Sequence, residues 1–417
     1  MFLTECKKIV RSFLFWLFTA AIVLAYLTQF TPALKAKLAM PTEENASYGT
    51  IITKDPDVII PAAVQHLVEE YVRGYYRAYP LMFYREVFLK EEDEVRMAEI
   101  LEELTGLTKE ELDSFTDYQP AGYDYTVVDD SQTIEYHEAV LPDYVPAEIS
   151  YERFLVLMNE ADGLIGGGSD YAEKKLTAAF STVPMDYASA LAEYHVIMTN
   201  DEIGKAYIRL YCDYMGIFLA IMPVFAAAAF WDMDRRSRAE ALIYSRKTSS
   251  VKIAGIRYAA LVFCMMLPLL VTLLHAVICL NGLYPELDIV WWKGFWLAAF
   301  WLVPELMAVV ALGVVVTELI SPLSAVFLQG VWWYLSIGQN ELTGTMTKWN
   351  LVLRHNSLTK LQIFQEEYQT FLWNRSFYLI LAVGLIALEV FLLHRKRSGK
   401  LLRAKRLILN RGKHAKD

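Results

Sequence analysis

The sequence predicts an α-helical polytopic membrane protein with six transmembrane helices and a mostly helical (α+β) extracellular domain. Three observations carry this expectation. Hydrophobic residues make up 55% of the 417-residue chain and charged ones only 21%, with a mean hydropathy of +0.28. The apolar residues are gathered into long runs that a soluble core does not need. Charge is also segregated: residues 38–205 hold 34 acidic and 11 basic side chains, a net −23, so the remainder carries +14 within a total of −9. This pattern excludes a purely soluble enzyme and a disordered chain. An acidic soluble part is the reverse of what a nucleic-acid binder presents. Only four cysteines occur (Cys6, Cys212, Cys264 and Cys279), all in or beside apolar runs, so no disulfide framework is expected.

About 20 apolar residues cross the ~30 Å hydrocarbon core at 1.5 Å per residue. Residues 12–30 meet this without a charge, and form a membrane anchor within an N-terminal segment of residues 1–39. A cleaved signal peptide is the alternative, but 19 uninterrupted residues exceed the usual h-region of roughly 7–15. The second span falls in 206–231, and spans three to five occupy 258–338 as the runs 258–280, 294–317 and 322–338. The sixth is 377–393.

Basic residues orient these spans. Lys7, Lys8 and Arg11 precede the first; Arg235, Arg236, Arg238, Arg246, Lys247, Lys252 and Arg257 fill the connector 232–257; ten more lie in the tail 394–417. Those segments are predicted to be cytoplasmic at a plasma membrane, with both termini inside. The extracellular domain 40–205 and the external loop 339–376, expected to carry short helices, lie opposite.

Within 40–205, helical spacing is dense over 61–105, Thr108 and Glu111 have the form of a capping box, and a strand or hairpin is expected near 125–140. A helix from about Ser150 to Glu160 is expected to end at Asp162 and Gly163, before the glycines 166–168. GLIGGGSD lacks the Lys-Ser/Thr of a phosphate loop and reads as a helix-ending loop. Tyrosines 71, 75, 76, 79 and 84 interleave with Arg73, Arg77 and Arg85, which reads as a helical core with hydroxyls reaching water, or as an aromatic binding surface. No Ser-His-Asp set or zinc spacing appears, so no catalytic residue, metal or cofactor is assigned.

In the connector, Ala239, Leu242 and Ile243 fall at helical spacing opposite arginines, as in an amphipathic helix at the inner surface. One span, a large outside domain and five further spans with this connector resemble the permease subunit of type-2 ABC exporters. The resemblance implies that the connector is the coupling helix that docks on a separate cytoplasmic ABC ATPase. It gives Glu240, Leu242, Ile243, Ser249, Ser250 and Gly255 the coupling roles, although Ala241 and Leu242 stand where the family usually has Gly-Thr. It further implies a second permease copy or homologue, with ATP and Mg held by the partner. The chain has neither Walker A nor ABC signature. The alternatives are a membrane-anchored sensor with a ligand-binding ectodomain, or a membrane enzyme, which the absence of a catalytic set disfavours.

Glu305 lies near the middle of span four, where an unpaired carboxylate costs at least ~2.5 kcal/mol. His275 is the first partner to test, but the depths of the two differ by roughly 9 Å, which argues against direct pairing. Glu318 and Glu389 are expected to snorkel at the inner edge.

Overall fold

Ser12 starts the first apolar helix: the chain enters in extended geometry and the Ser12 hydroxyl accepts from Phe15 N–H. In the computed structural model, residues 1–398 are described apart from 46, 81–82, 121, 129–130, 138, 145–146, 200–201, 240–246 and 342–345. The chain divides into two compact units, Met1–Thr42 with Ala188–Asp417, and Glu43–Tyr187.

A short helix α1 (Phe2–Val10) precedes α2 (Phe13–Ala25), which continues through a π-turn and a 3₁₀ turn to Leu34. Phe18, Ile22, Tyr26 and Phe30, at spacings of four, form its buried stripe.

The second unit opens with strand β1 (Thr50–Ile52) and helix α3 (Pro56–Arg73), whose N-cap Asp55 accepts from Asp57 N–H. Helical density over 61–105 is interrupted. Gly74 ends α3 at φ 80°, a conformation that disfavours any side chain, and a hairpin of β2 (Tyr76–Ala78) and β3 (Arg85–Val87) intervenes before α4 (Glu91–Thr105). Four acidic residues sit in the first turn of α4, at the positive end of its dipole. The Thr108–Glu111 capping box forms, opening α5 (Lys109–Asp113). Next come the antiparallel hairpin β4 (Gly122–Val128) and β5 (Ser131–His137).

Helix α6 (Tyr151–Ile165) runs past Gly163, where a stop was expected, and closes on Gly166 at φ 95°. A glycine inside a helix costs only about 1 kcal/mol, less than is gained by burying Ile165. Helix α7 (Glu173–Phe180) and β6 (Thr182–Pro184), paired with β1, complete the unit. Its core is the helix-spaced set Ile59, Ala63, Leu67 and Tyr71 of α3 against Met97 and Leu101 of α4 and Phe154, Leu157 and Ala161 of α6.

Helix α8 (Tyr187–Thr199) leads to α9 (Ile203–Leu219) and α10 (Met222–Trp231), which are bent by 45°. Pro223 cannot donate a backbone hydrogen bond, which accounts for the break. Then come α11 (Met233–Arg236), α12 (Ser250–Leu283), α13 (Trp291–Leu319), α14 (Pro322–Glu341), α15 (Leu361–Glu366) and α16 (Tyr368–Arg397).

Among the described residues four helices are long and apolar enough to cross a membrane: 13–34, α12, α13 and α16; α9 with α10 makes a fifth if the bent pair counts as one. The run 322–338 forms α14, long enough at 20 residues but diluted by Gln329 and Ser336. Both polar side chains are employed. Gln329 donates to Ala220 O (2.6 Å) at the α9–α10 break, beside Trp333 donating to Ile217 O (2.9 Å), and Ser336 accepts from Leu351 N–H (3.2 Å). At the centre of this unit, α13 packs against α9, α10, α14 and α16. Small residues permit the closest approach: a Cβ on Gly313 would lie 3.1 Å from Ala227 and Val224.

Candidate functional site

Charged pairs whose members lie 70 and 141 residues apart in sequence converge inside the helical unit. Glu305 of α13 and Arg375 of α16 are both fully buried, and Arg375 Nη1 donates to Glu305 Oε2 at 3.0 Å. Arg375 Nη2 also donates to Leu351 O (3.3 Å). On α9, Asp213 accepts from Arg354 Nε (3.0 Å), His355 N–H (2.8 Å) and Asn356 N–H (3.2 Å). Asn374 donates to Asn350 O (2.8 Å) and Thr347 O (3.0 Å), and Tyr378 OH to Trp349 O (2.6 Å).

These bonds fix the non-helical segment 346–356 between α14 and α15, whose residues Leu351, Val352 and Leu353 are fully buried. Irregular backbone is tolerated in such a place only when side chains satisfy its polar groups. His355 Nε2 donates to Thr359 O (3.0 Å), and burial, with the Arg209 charge next, pushes its pKa down to about 4. It is therefore neutral at physiological pH.

The two intramembrane candidates stay apart. His275 bonds Tyr26 OH through Nδ1 at 2.7 Å, whereas Glu305 takes Arg375. The apolar run starts at 377, which by sequence places Arg375 in the external loop; the helix starts at Tyr368 and carries Arg375 inside. Asp213 and Arg354 are equally inconspicuous in the sequence. Each sits next to apolar residues with no local pattern to mark it. Asn374, one of two N-x-S asparagines, is buried in this network.

At the basic end of the unit, Glu240, Leu242 and Ile243 lie outside the described residues. Ser249 is the N-cap of α12, accepting from Lys252 N–H (3.2 Å), and Ser250 Oγ accepts from Arg397 Nη1 (3.2 Å), which also donates to Thr248 O (2.5 Å). Gly255 is an interior helical residue, where a Cβ would meet nothing within 4 Å. Helix α12 takes in residues 250–257 of the connector expected over 232–257. Arg257 pairs with Asp234 (2.5 Å), joining α12 to α11. Glu389 is not a snorkelling group: it is fully buried and accepts from Trp231 Nε1 (3.2 Å), while Glu318 pairs with Lys396.

The second unit has a closed hydrogen-bond ring. Arg77 donates to Glu70 Oε1 (2.9 Å) and to His66 Nε2; His66 Nδ1 meets Tyr171 OH (2.7 Å), and Tyr171 OH donates to Glu70 Oε2 (2.8 Å). These roles require a neutral imidazole protonated at Nδ1. Burial first, then Arg77 and Arg73, push His66 down to about 4, and burial raises Glu70 despite its three donors, Arg77 Nε, Arg77 N–H and Tyr171 OH. Tyr71 and Tyr76 are buried core and Tyr84 is exposed, so the tyrosine-rich stretch is divided between the two readings.

Among the described residues no three His, Cys, Asp or Glu side chains are grouped to hold a metal ion, and all four cysteines are free. The chain matches no protein-family profile, no curated protein and no solved structure. What the fold defines is a class: a mostly helical protein with apolar helices able to cross a membrane and a second, separate unit.

Proposed function

We propose that the chain is the membrane-spanning permease subunit of an ATP-driven exporter, energised by a separate cytoplasmic ABC ATPase that docks on the connector after α10. The supporting observation is the order of elements: one apolar helix, a separate compact unit of 43–187, then a helical bundle with a basic connector whose ends are tied down. Six crossings, with both termini cytoplasmic and 43–187 outside a plasma membrane, complete the proposal. An ion pair at 234–257 and hydrogen bonds from Arg397 to Thr248 O and Ser250 Oγ join the connector's ends to α12 and α16, so force applied there reaches long helices. No catalytic group is required of this chain; ATP and Mg belong to the partner, and the exporter is a dimer of such halves.

The test is co-purification of the full chain with a lone cytosolic ABC ATPase encoded beside it, followed by transport assay. Glu240→Arg, or Leu242→Asp with Ile243→Asp, is expected to abolish transport and stimulated ATP hydrolysis while leaving membrane insertion intact. A variant that still binds the ATPase and retains stimulated hydrolysis overturns the docking role. Failure of the wild-type chain to bind any ATPase, with ligand-dependent changes relayed from 43–187, favours a sensor.

A further inference from the structure

Helices α9 and α10 form one apolar run, yet they are held in unlike ways. On α9, Asp213 accepts three hydrogen bonds from residues 354–356. Tyr211 OH donates to Leu269 O of α12 and meets Thr272 Oγ1, each at 2.8 Å. Helix α10 has a single polar side chain, the Trp231 indole, and its Ala226, Ala227 and Ala228 are buried. Small apolar residues give close contact without interlocking, and Gly313 of α13 meets them in the same way.

Between the two helices the chain bends by 45°. Ile221 N–H turns back to Phe218 O and Val224 N–H to Ile221 O, both at 3.3 Å, and Pro223 has no amide to give. Ile217 O and Ala220 O, which lose their helical partners there, are taken by Trp333 and Gln329 of α14. Side-chain bonds of this kind follow a changing bend by turning about their own torsions. At the far end of α10, Trp231 Nε1 donates to Glu389 Oε1 of α16 (3.2 Å), and beyond it Asp234 of α11 pairs with Arg257 of α12. The indole bond is a poor permanent joint. Glu389 is fully buried, its Oε2 has no partner, and Lys396 is paired with Glu318. A buried polar atom without a partner is costly and is relieved by water, so the seated position of α10 carries a penalty that withdrawal removes.

We propose that α10 is a hinged arm that pivots at residues 220–222 on a fixed α9 and is latched at its far end by Trp231 on Glu389. Release swings α11 away from α16 and lets water reach the Glu389 carboxyl. The gain of water there opposes the loss of the indole bond, which is the condition for two positions of α10 to interchange. A bend fixed rigidly by Pro223 would need no latch and would have one position. The device belongs to the helical unit alone and stands whether or not an ATPase docks beyond α11.

The experiment uses the full chain in phosphatidylcholine nanodiscs, with its ten tryptophans replaced biosynthetically by fluorotryptophan. Trp231→Phe and Trp301→Phe assign two fluorine resonances, and a soluble gadolinium chelate reports through their relaxation how far each is reached by water. Trp301, fully buried on α13, is the fixed reference. Glu389→Asp keeps a buried carboxyl but is one methylene too short to reach the indole. It is expected to raise the Trp231 relaxation at least ~5-fold over the wild type, the fold-change that goes with stranding a buried polar group. Glu389→Gln keeps the acceptor and is expected to stay within ~2-fold of the wild type. Gln329→Leu frees Ala220 O and is expected to raise the relaxation as well. Adding Pro223→Ala, which restores an amide to the break, is expected to reverse that rise. Three results overturn the proposal: a Trp231 relaxation unchanged by Glu389→Asp and Gln329→Leu, a rise in Glu389→Gln equal to that in Glu389→Asp, or a matching rise at Trp301, which would mark general loosening of the bundle.

Discussion

Replacing Arg375 with Met removes the positive half of a pair in which both side chains are fully buried and 3.0 Å apart. At an effective dielectric of ~20, two unit charges at that distance attract by ~5.5 kcal/mol. Removing one partner of a buried pair costs ~3–5 kcal/mol, because the other charge stays behind without water. Arg375→Met also deprives Leu351 O of a donor, so the segment 346–356 loosens with it. The charge-neutral double variant Glu305→Gln with Arg375→Met leaves no stranded carboxylate. It is expected to recover at least ~2 kcal/mol of the loss, a coupling within the range measured for contacting residues. Glu305→Gln alone strands the guanidinium and should cost stability too, although Arg375 keeps its bond to Leu351 O. The assay is thermal unfolding in one detergent, read by tryptophan fluorescence and by retention of the monodisperse peak. Equal melting temperatures for Arg375→Met and the double variant would refute the reasoning, since the loss would then come from side-chain volume and not from stranded charge.

Asp213→Ala is expected to destabilise the helical unit by ~3 kcal/mol or more, leaving Arg354 buried and the amides of His355 and Asn356 without their acceptor. Hydrogen exchange at those two amides should accelerate while the α4 amides stay protected. In the second unit, His66 falls from 6.5 to about 4, so its contribution is present above pH ~6.5 and is lost as pH drops toward 4, at most about 3 kcal/mol. Glu70 acts in the opposite direction, because a raised carboxyl contributes stability that is lost as pH rises. The His66→Gln variant should therefore show a weaker loss of stability between pH 6.5 and 4 than the wild type, and identical slopes would refute the assignment. Leu101→Ala, at a fully buried core position of α4, should cost ~2–5 kcal/mol in the second unit without altering melting of the helical one.

What the sequence made legible is what local solvation and local hydrogen bonding determine. Apolar runs marked α2, α12, α13 and α16 because hydrocarbon-length stretches without charges have few other uses. The capping box at Thr108 was readable because donor and acceptor are three residues apart. The interruption of 61–105 was hidden because the flanking helices each satisfy the 3.6-residue period, and only Gly74, in the left-handed region, marks the boundary. Charged positions near the ends of apolar runs misled most. Arg375 lies two residues before the run at 377 yet seven residues inside its helix, and Glu389 lies near the C-terminal end of that helix yet under Trp231. Hydropathy averages over all faces of a helix, and burial of a single charge is decided by one face.

The same reasoning explains why the central polar network escaped a reading by periodicity. Glu305 and Arg375 are 70 residues apart and Asp213 and Arg354 are 141, so no window contains both members of either pair. Each charge alone registers as a defect in an apolar or neutral stretch. Only the segment 346–356 makes them one structure: its amides need Asp213, its carbonyls need Arg375 and Asn374, and its Arg354 needs a carboxylate. A buried irregular segment supplies the polar demand, and three helices supply the answering side chains. Helices α9 and α16 are thereby linked through backbone groups of one short stretch as well as by apolar contact with α13. Any sliding of α16 along α13 that separates Arg375 from Glu305 must also pull on Leu351 and, three residues on, on the Asp213 bonds. The network is therefore a mechanical joint between helices that apolar packing alone would allow to slip.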